Sequence, residues 1–169
     1  MVFAITGTPG TGKSSVARLL KKRFAVLELN LAVKMKRLYC DYDRRRKTYI
    51  VDTKAATKFV SAWINKQKKD VFIVSHISHL LNISYDAVFL LKAKPEVLYK
   101  RLMKKGWNKK KIMENVEAEI FDVISEEIKG KKIVIDTTVK SPRGVARDIY
   151  KFVKTIKQHE CDTKLRRDA

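Results

Sequence analysis

Cysteine is nearly absent from this chain of 169 residues. Cys40 and Cys161 have neither metal-ligand spacing nor the density of a disulfide scaffold, so both are expected as free thiols. No run of about 20 apolar residues occurs, which excludes a membrane-spanning helix. The apolar N-terminal segment enters a glycine-rich stretch within a few residues, without a basic leader or a small-residue cleavage site. A soluble, unprocessed protein with no membrane partner is expected, and a cytoplasmic one. The pair His76 and His79 is too small a set for a closed zinc site with no cysteine nearby. Acidic residues are the other shortage: 18 Asp and Glu face 38 Lys and Arg, a formal charge of +20. Such a surface attracts polyanions at long range. It equally fits a solvated Lys-rich surface of a heat-adapted protein, and the sequence leaves both readings open. The basic residues are scattered over polar helix faces, and no aromatic-interleaved patch marks a base-stacking surface. Repeats, low-complexity linkers and a second domain are also lacking. With 45% hydrophobic content the length suits one substantial core.

Glycine is scarce as well, six in all, and three of the six fall in GTPGTGKS, Gly7 to Ser14. The stretch matches the phosphate-binding pattern G-x-x-x-x-G-K-[ST], between an apolar run at Val2 to Ile5 that reads as a buried strand and a helical repeat of Val16, Leu19, Leu20 and Phe24. That is the context the pattern requires. Glycines allow the backbone N–H groups of Gly10, Thr11, Gly12, Lys13, Ser14 and Ser15 to approach an anion. The positive end of the helix faces the same anion, the Lys13 ammonium reaches the terminal phosphates, and the Ser14 hydroxyl would ligate Mg²⁺.

Further along, Val26 to Leu29 reads as a second strand, and Asn30 is expected to cap a short helix from Leu31 to about Leu38. Tyr39 to Val51 has no period and is expected as a loop over the sheet edge. Asp52 or Thr53 caps a helix, Val71 to Val74 and Ala87 to Leu91 are buried strands, and Pro95 opens another helix. Asn108 caps a helix expected to run to Gly130 with Ile112, Val116, Ile120, Val123 and Ile124 on one face. Lys109, Lys110 and Lys111 in its first turn are disfavoured by the helix dipole unless an anion is near. Ile133 to Ile135 is a fifth strand, Ser141-Pro142 opens a last helix, and the chain is expected to fray from Lys157. Five buried strands alternating with helices predict a parallel sheet covered on both faces, with the phosphate loop at its carboxyl edge.

These residues resemble the adenylate kinase isoenzyme six family, adenylate-kinase-like ATPases of archaea and of eukaryotic nuclei associated with small ribosomal subunit maturation. The resemblance spans nearly the whole chain. It is carried by GTPGTGKSS, by LYCDYD at Leu38 to Asp43 with Tyr49 to Asp52, by SHISHLL at Ser75 to Leu81, by the segment from Arg101 to Ile124 and by DTTVKSP from Asp136. It implies a P-loop NTPase of the nucleoside monophosphate kinase type: a single domain over 1–156, an acceptor-binding region at 31–52, a lid at 103–112 and a polar tail at 157–169. It implies ATP with Mg²⁺ as cofactors and AMP as acceptor. Arg101 would lie beside the adenine, Thr137 to Pro142, with Lys140, would line it, and His76 would be catalytic together with Lys13.

Two departures from the family stand out. Its acidic residue two before the histidine falls on Val74, and Lys105 stands where nucleotide kinases place a phosphate-clamping arginine, whose fork an ammonium does not reproduce. Two functions are therefore expected to compete. One is an adenylate kinase with ATPase activity acting in small ribosomal subunit maturation. The other is a nucleotide-switched factor that binds rRNA or a ribosomal protein with little AMP kinase activity. Oligomeric state is not legible.

Overall fold

Strand β1 (Val2–Thr6) lies at the centre of a five-stranded parallel sheet, ordered β2 (Ala25–Glu28), β5 (Val71–Val74), β1, β6 (Ala87–Lys92), β7 (Lys132–Asp136). The computed structural model describes residues 1–46 and 48–165. All five strands were expected from their apolar runs, and the reason is visible in β5. Its period-two side chains divide between two cores, Phe72 and Val74 on one face, Val71 and Ile73 on the other. Helices α1 (Lys13–Leu20) and α7 (Pro142–Leu165) cover the first face through Val16, Leu20, Val145, Ile149 and Val153. Helices α2 (Leu29–Met35) and α3 (Thr53–Ile64) cover the other through Leu29, Val33, Ala56 and Val60. A third cluster joins α4 (Pro95–Lys104) to α5 (Lys109–Ile120) through Leu98, Leu102, Ile112 and Val116. This is the P-loop NTPase fold, with every parallel crossover bringing the chain back to the same sheet edge.

Two caps follow the sequence: Asp52 accepts from Ala55 N at 3.0 Å, and Asn108 from Lys111 N at 2.8 Å. Four expectations do not hold as drawn. Tyr39 to Val51 is an antiparallel hairpin, β3 (Tyr39–Asp43) and β4 (Thr48–Val51), held by Tyr39 and Tyr42 against Tyr49 at 4.4 and 4.9 Å. Lys47, within it, lies outside the described residues. Asn30 does not cap α2, which starts earlier, at Leu29; its Oδ1 instead accepts from Ser75 Oγ at 2.7 Å. The long helix expected to reach Gly130 breaks at Asp122, whose φ of 54° is left-handed, and resumes as α6 (Val123–Glu127). Ile120 and Val123 are exposed, and the buried stripe of α5 runs instead through Ile112, Val116 and Glu119. Finally, α7 does not fray at Lys157 but runs to Leu165, and Lys157 Nζ pairs with Asp70 at 2.6 Å. Of the expected tail, residues 166–169 lie outside the described residues, as does the side chain of Cys161. Among the described residues no helix is long and apolar enough to cross a membrane.

Candidate active site

The loop between β1 and α1 owes its path to glycine at two points. Gly7 has φ 134°, and a Cβ there would stand 2.2 Å from Leu91 O, so no other residue fits the gap between β1 and β6. Gly12, φ 99°, is the left-handed residue from which α1 starts. Between them the loop is tied to itself: Thr11 Oγ1 and Thr11 N both donate to Thr8 O, at 2.9 and 3.2 Å, which turns the Thr11 side chain inward. The Lys13 ammonium folds back on the loop, donating to Gly7 O and, at 3.0 Å, to Thr8 O. Its pKa is lowered to about 7, by burial first and then by the nearby Lys105, with Glu119 opposing both. Ser14 and Ser15 are exposed on the first turn of α1.

Two cavities meet at this loop. One, of about 580 Å³, is lined by Gly10, Gly12, Lys13, Ser14 and Ser15, by His76 from the end of β5, by Asn30 and Arg46, and by Lys105 and Lys111. The other, of about 390 Å³, shares Gly10, Gly12 and Ser15 and adds Thr11, Arg101, Thr137, Lys140 and Pro142. All the residues singled out in the sequence are thus gathered round one loop. Arg101 lines the second cavity. Its guanidinium donates to Thr137 O at 2.7 Å, to Thr137 Oγ1 at 3.2 Å and to Thr138 O at 3.3 Å, so its fork holds the loop that borders the cavity. Thr137 Oγ1 in turn donates to Thr11 O at 3.0 Å, joining that loop to the phosphate loop. Lys140 Nζ pairs with Asp148 at 2.6 Å.

His76 faces the first cavity, and burial first, then Lys13, His79 and Lys111, lowers its pKa to about 4. It is a neutral imidazole at neutral pH. His79 is occupied elsewhere: its Nδ1 lies 2.8 Å from Thr6 Oγ1 and its Nε2 2.9 Å from Glu127. Val74 is buried in the face covered by α1 and α7, so the end of β5 carries no carboxylate into the site. Among the described residues no group of three His, Cys, Asp or Glu could hold a metal. The donor set fits a Mg²⁺ that arrives on nucleotide phosphates and takes the Ser14 hydroxyl as its protein ligand, since Mg²⁺ keeps much of its water and phosphate shell.

Glu119 is the residue sequence reasoning missed. Only 8% exposed, it accepts from Thr8 Oγ1 at 2.5 Å and from Ala93 N at 2.9 Å, pinning α5 to the phosphate loop and to the end of β6. A charged residue seven positions after buried Ile112 and three after Val116, on their stripe, was the available signal. The lid segment meets the hairpin: Lys111 Nζ donates to Arg46 O at 2.8 Å, and Arg46 lies 3.5 Å from Glu114.

A family model described as an AAA domain matches residues 4–122. A protein of Methanocaldococcus jannaschii named "Putative adenylate kinase" is 36% identical over 162 residues, covering 95% of this chain and 90% of its own. One of the same name from Methanosarcina acetivorans is 34% identical over 166 residues, covering 92% and 88%. Among solved structures, the crystal structure of TT1252 from Thermus thermophilus superposes with a TM-score of 0.61 over 92% of this chain and 97% of that one; at 18% identity this is a likeness of fold.

Proposed function

This chain belongs to the AAA-domain family and to the same family as its archaeal relatives, and on that footing we propose that it is a nucleotide kinase passing the γ-phosphate of ATP to AMP. One observation carries the reading. The phosphate loop stands between two cavities, one against the Arg101-held loop Thr137 to Pro142, the other open towards α2, the hairpin and the lid. A donor base in the former and an acceptor in the latter would bring their phosphates together over Gly10 to Ser15. Phosphoryl transfer needs little more than such positioning and charge. The Ser14 hydroxyl would hold a Mg²⁺ bound with ATP, which would supply positive charge against the phosphate oxygens. Lys13 leaves the loop carbonyls for those oxygens, and the N–H groups from Gly10 to Ser15 hold the remainder. Lys105 and Lys111 add positive charge from the lid side, and the lid (103–112) excludes water. The neutral His76 orients the attacking phosphate oxygen of AMP, or a water, through a hydrogen bond. The division into a domain at 1–156 with an acceptor region at 31–52 belongs to the same proposal. The test is ADP formation from ATP plus AMP, measured beside phosphate release from ATP alone. A rate that AMP does not raise would sink the kinase.

A second reading has its own observation: with Val74 buried and Lys105 in place of an arginine, the site lacks two groups that speed transfer. We therefore also propose slow ATP hydrolysis coupled to an RNA or ribosomal-protein partner of the small subunit, in the cytoplasm, supported by the +20 charge and the resemblance. The lid and hairpin that touch each other lie over the nucleotide, so a partner that distinguishes their arrangements would be held or released with nucleotide state. Pull-downs from ribosomal extract with an ATP analogue, with ADP and without nucleotide test it. Equal recovery in all three would leave a plain kinase.

A further inference from the structure

The seam between α1 and α7 carries another concave surface, separate from the lid. It is a groove of about 290 Å³ with an apolar floor that includes Leu20, Phe24 and Ala146. Lys22 and Arg23, just past α1, border it on one side. Arg143 and Arg147, four apart on α7 and so on one helix face, border it on the other. Tyr150 continues that face and is 37% exposed, with the Arg23 guanidinium carbon 4.5 Å from its ring centroid. Among the described residues, the ion pairs all involve other groups, so none of these four cations has a carboxylate within 4 Å. Three of the four are arginines in a chain where lysine far outnumbers arginine.

Four uncompensated charges crowded along a groove repel one another, and a polyanion laid in the groove would relieve that repulsion. The residue types narrow the class. Arginine forks match phosphate oxygens in pairs and their planes stack on bases, as does a tyrosine ring. A free phosphate would have no use for the aromatic and apolar floor, and an acidic peptide no use for a planar platform. We propose that this groove binds single-stranded RNA, with phosphates on Arg143 and Arg147 and a base against the Arg23 and Tyr150 pair. The proposal gives a surface to the RNA partner of the second reading above and rests on that reading. The same helices line the base-side cavity through Val16, Pro142 and Val145, so the groove adjoins the nucleotide site without sharing its residues.

The experiment is fluorescence anisotropy with a labelled single-stranded RNA oligonucleotide across a salt series. It uses the full chain, the pair Arg143→Ala and Arg147→Ala, Tyr150→Ala, and a control pair, Lys54→Ala and Lys58→Ala, exposed on α3 over the opposite face of the sheet. The arginine pair is expected to weaken binding about tenfold or more and to make the salt slope shallower by about 1.4, two contacts at about 0.7 each. Tyr150→Ala is expected to weaken binding with the slope unchanged. The control pair should change affinity less than about threefold. Far-UV circular dichroism and a melting temperature unchanged in the arginine pair show that the variant is folded. Equal losses in both pairs would reduce the groove to bulk charge, and unaltered binding in the arginine pair would put the RNA elsewhere on the protein. Either overturns the groove while leaving the RNA reading standing. No RNA binding by the unmodified chain overturns both. Displacement of the RNA by polyglutamate at equal charge would make the occupant an acidic protein instead.

Discussion

Lys13 shows how a buried charge is held ready for its ligand. With its pKa near 7, lowered chiefly by burial, it is partly neutral at physiological pH until phosphates arrive. ATP binding should then take up a proton, and affinity should fall as pH rises above about 7. Calorimetry in buffers of different ionisation enthalpy reads that uptake directly, and zero uptake at pH 8 would contradict it. The linkage to stability has the matching sign. Between the folded value near 7 and the unfolded 10.5 the unfolded chain holds more protons, so the nucleotide-free protein gains stability as pH rises through that window. Lys13→Met removes a charge-assisted contact of about 1.5 to 3 kcal/mol, seen as weaker ATP binding. His76 behaves differently: titrating near 4, it acts as a neutral group, and His76→Ala should cut turnover while ATP affinity barely changes. Full activity in that variant would make the histidine structural. Because its folded pKa lies below the unfolded 6.5, its contribution to stability is lost as pH falls from 6.5 through about 4. Glu119→Ala strands the Thr8 hydroxyl and Ala93 N–H and should cost about 1 to 3 kcal/mol on thermal unfolding. Glu119→Gln, which can still pair with both, should cost much less.

At the scale of elements, the segment 103–112 proposed as a lid is the piece expected to respond to nucleotide. Gly106 has φ 71°, a left-handed joint between α4 and α5, and Lys111 just beyond it lies with Nζ 4.6 Å from the Trp107 ring centre. Phosphates in the cavity compete for that ammonium with both Trp107 and the Arg46 carbonyl. ATP should therefore change Trp107 emission, while Trp63, packed in the core of α2 and α3, stays constant. Trp107→Phe should abolish the nucleotide-dependent signal; if it persists, the lid does not respond. The caps at Asp52 and Asn108 were legible because a cap is a contact three residues long. The hairpin was not. Its strands are half exposed and polar, held by tyrosines across the pair rather than by an alternating buried stripe, so their pattern carries no period to read.

Across the whole molecule the excess charge is the dominant global force. A formal charge of +20 spread over a sheet-centred fold repels itself, so added salt should raise the melting temperature even as it would weaken the proposed RNA binding. A gain of about 1 kcal/mol would appear as about 2 to 4 °C for a chain of this size. A melting temperature that falls or stays flat between low and moderate salt would show that local pairs such as Asp70 with Lys157 and the N-terminus already offset the repulsion.

By itself the sequence determined what neighbouring residues decide: five apolar strands, the helix caps at Asp52 and Asn108, and a phosphate loop whose donors lie within eight consecutive positions. Backbone propensity, capping and glycine freedom act over a few residues and are written in order along the chain. Tertiary structure alone decided which distant groups meet. Thr137 reaches Thr11 across 126 positions and Glu119 reaches Thr8 across 111, because the order β2, β5, β1, β6, β7 with all pairs parallel brings the ends of every strand to one edge. The basic groove has the same origin. Arg143, Arg147 and Tyr150 share one face of α7, but Lys22 and Arg23 meet them only where α1 and α7 pack against one face of the sheet. Such convergence depends on the simultaneous packing of every layer, which no local window contains.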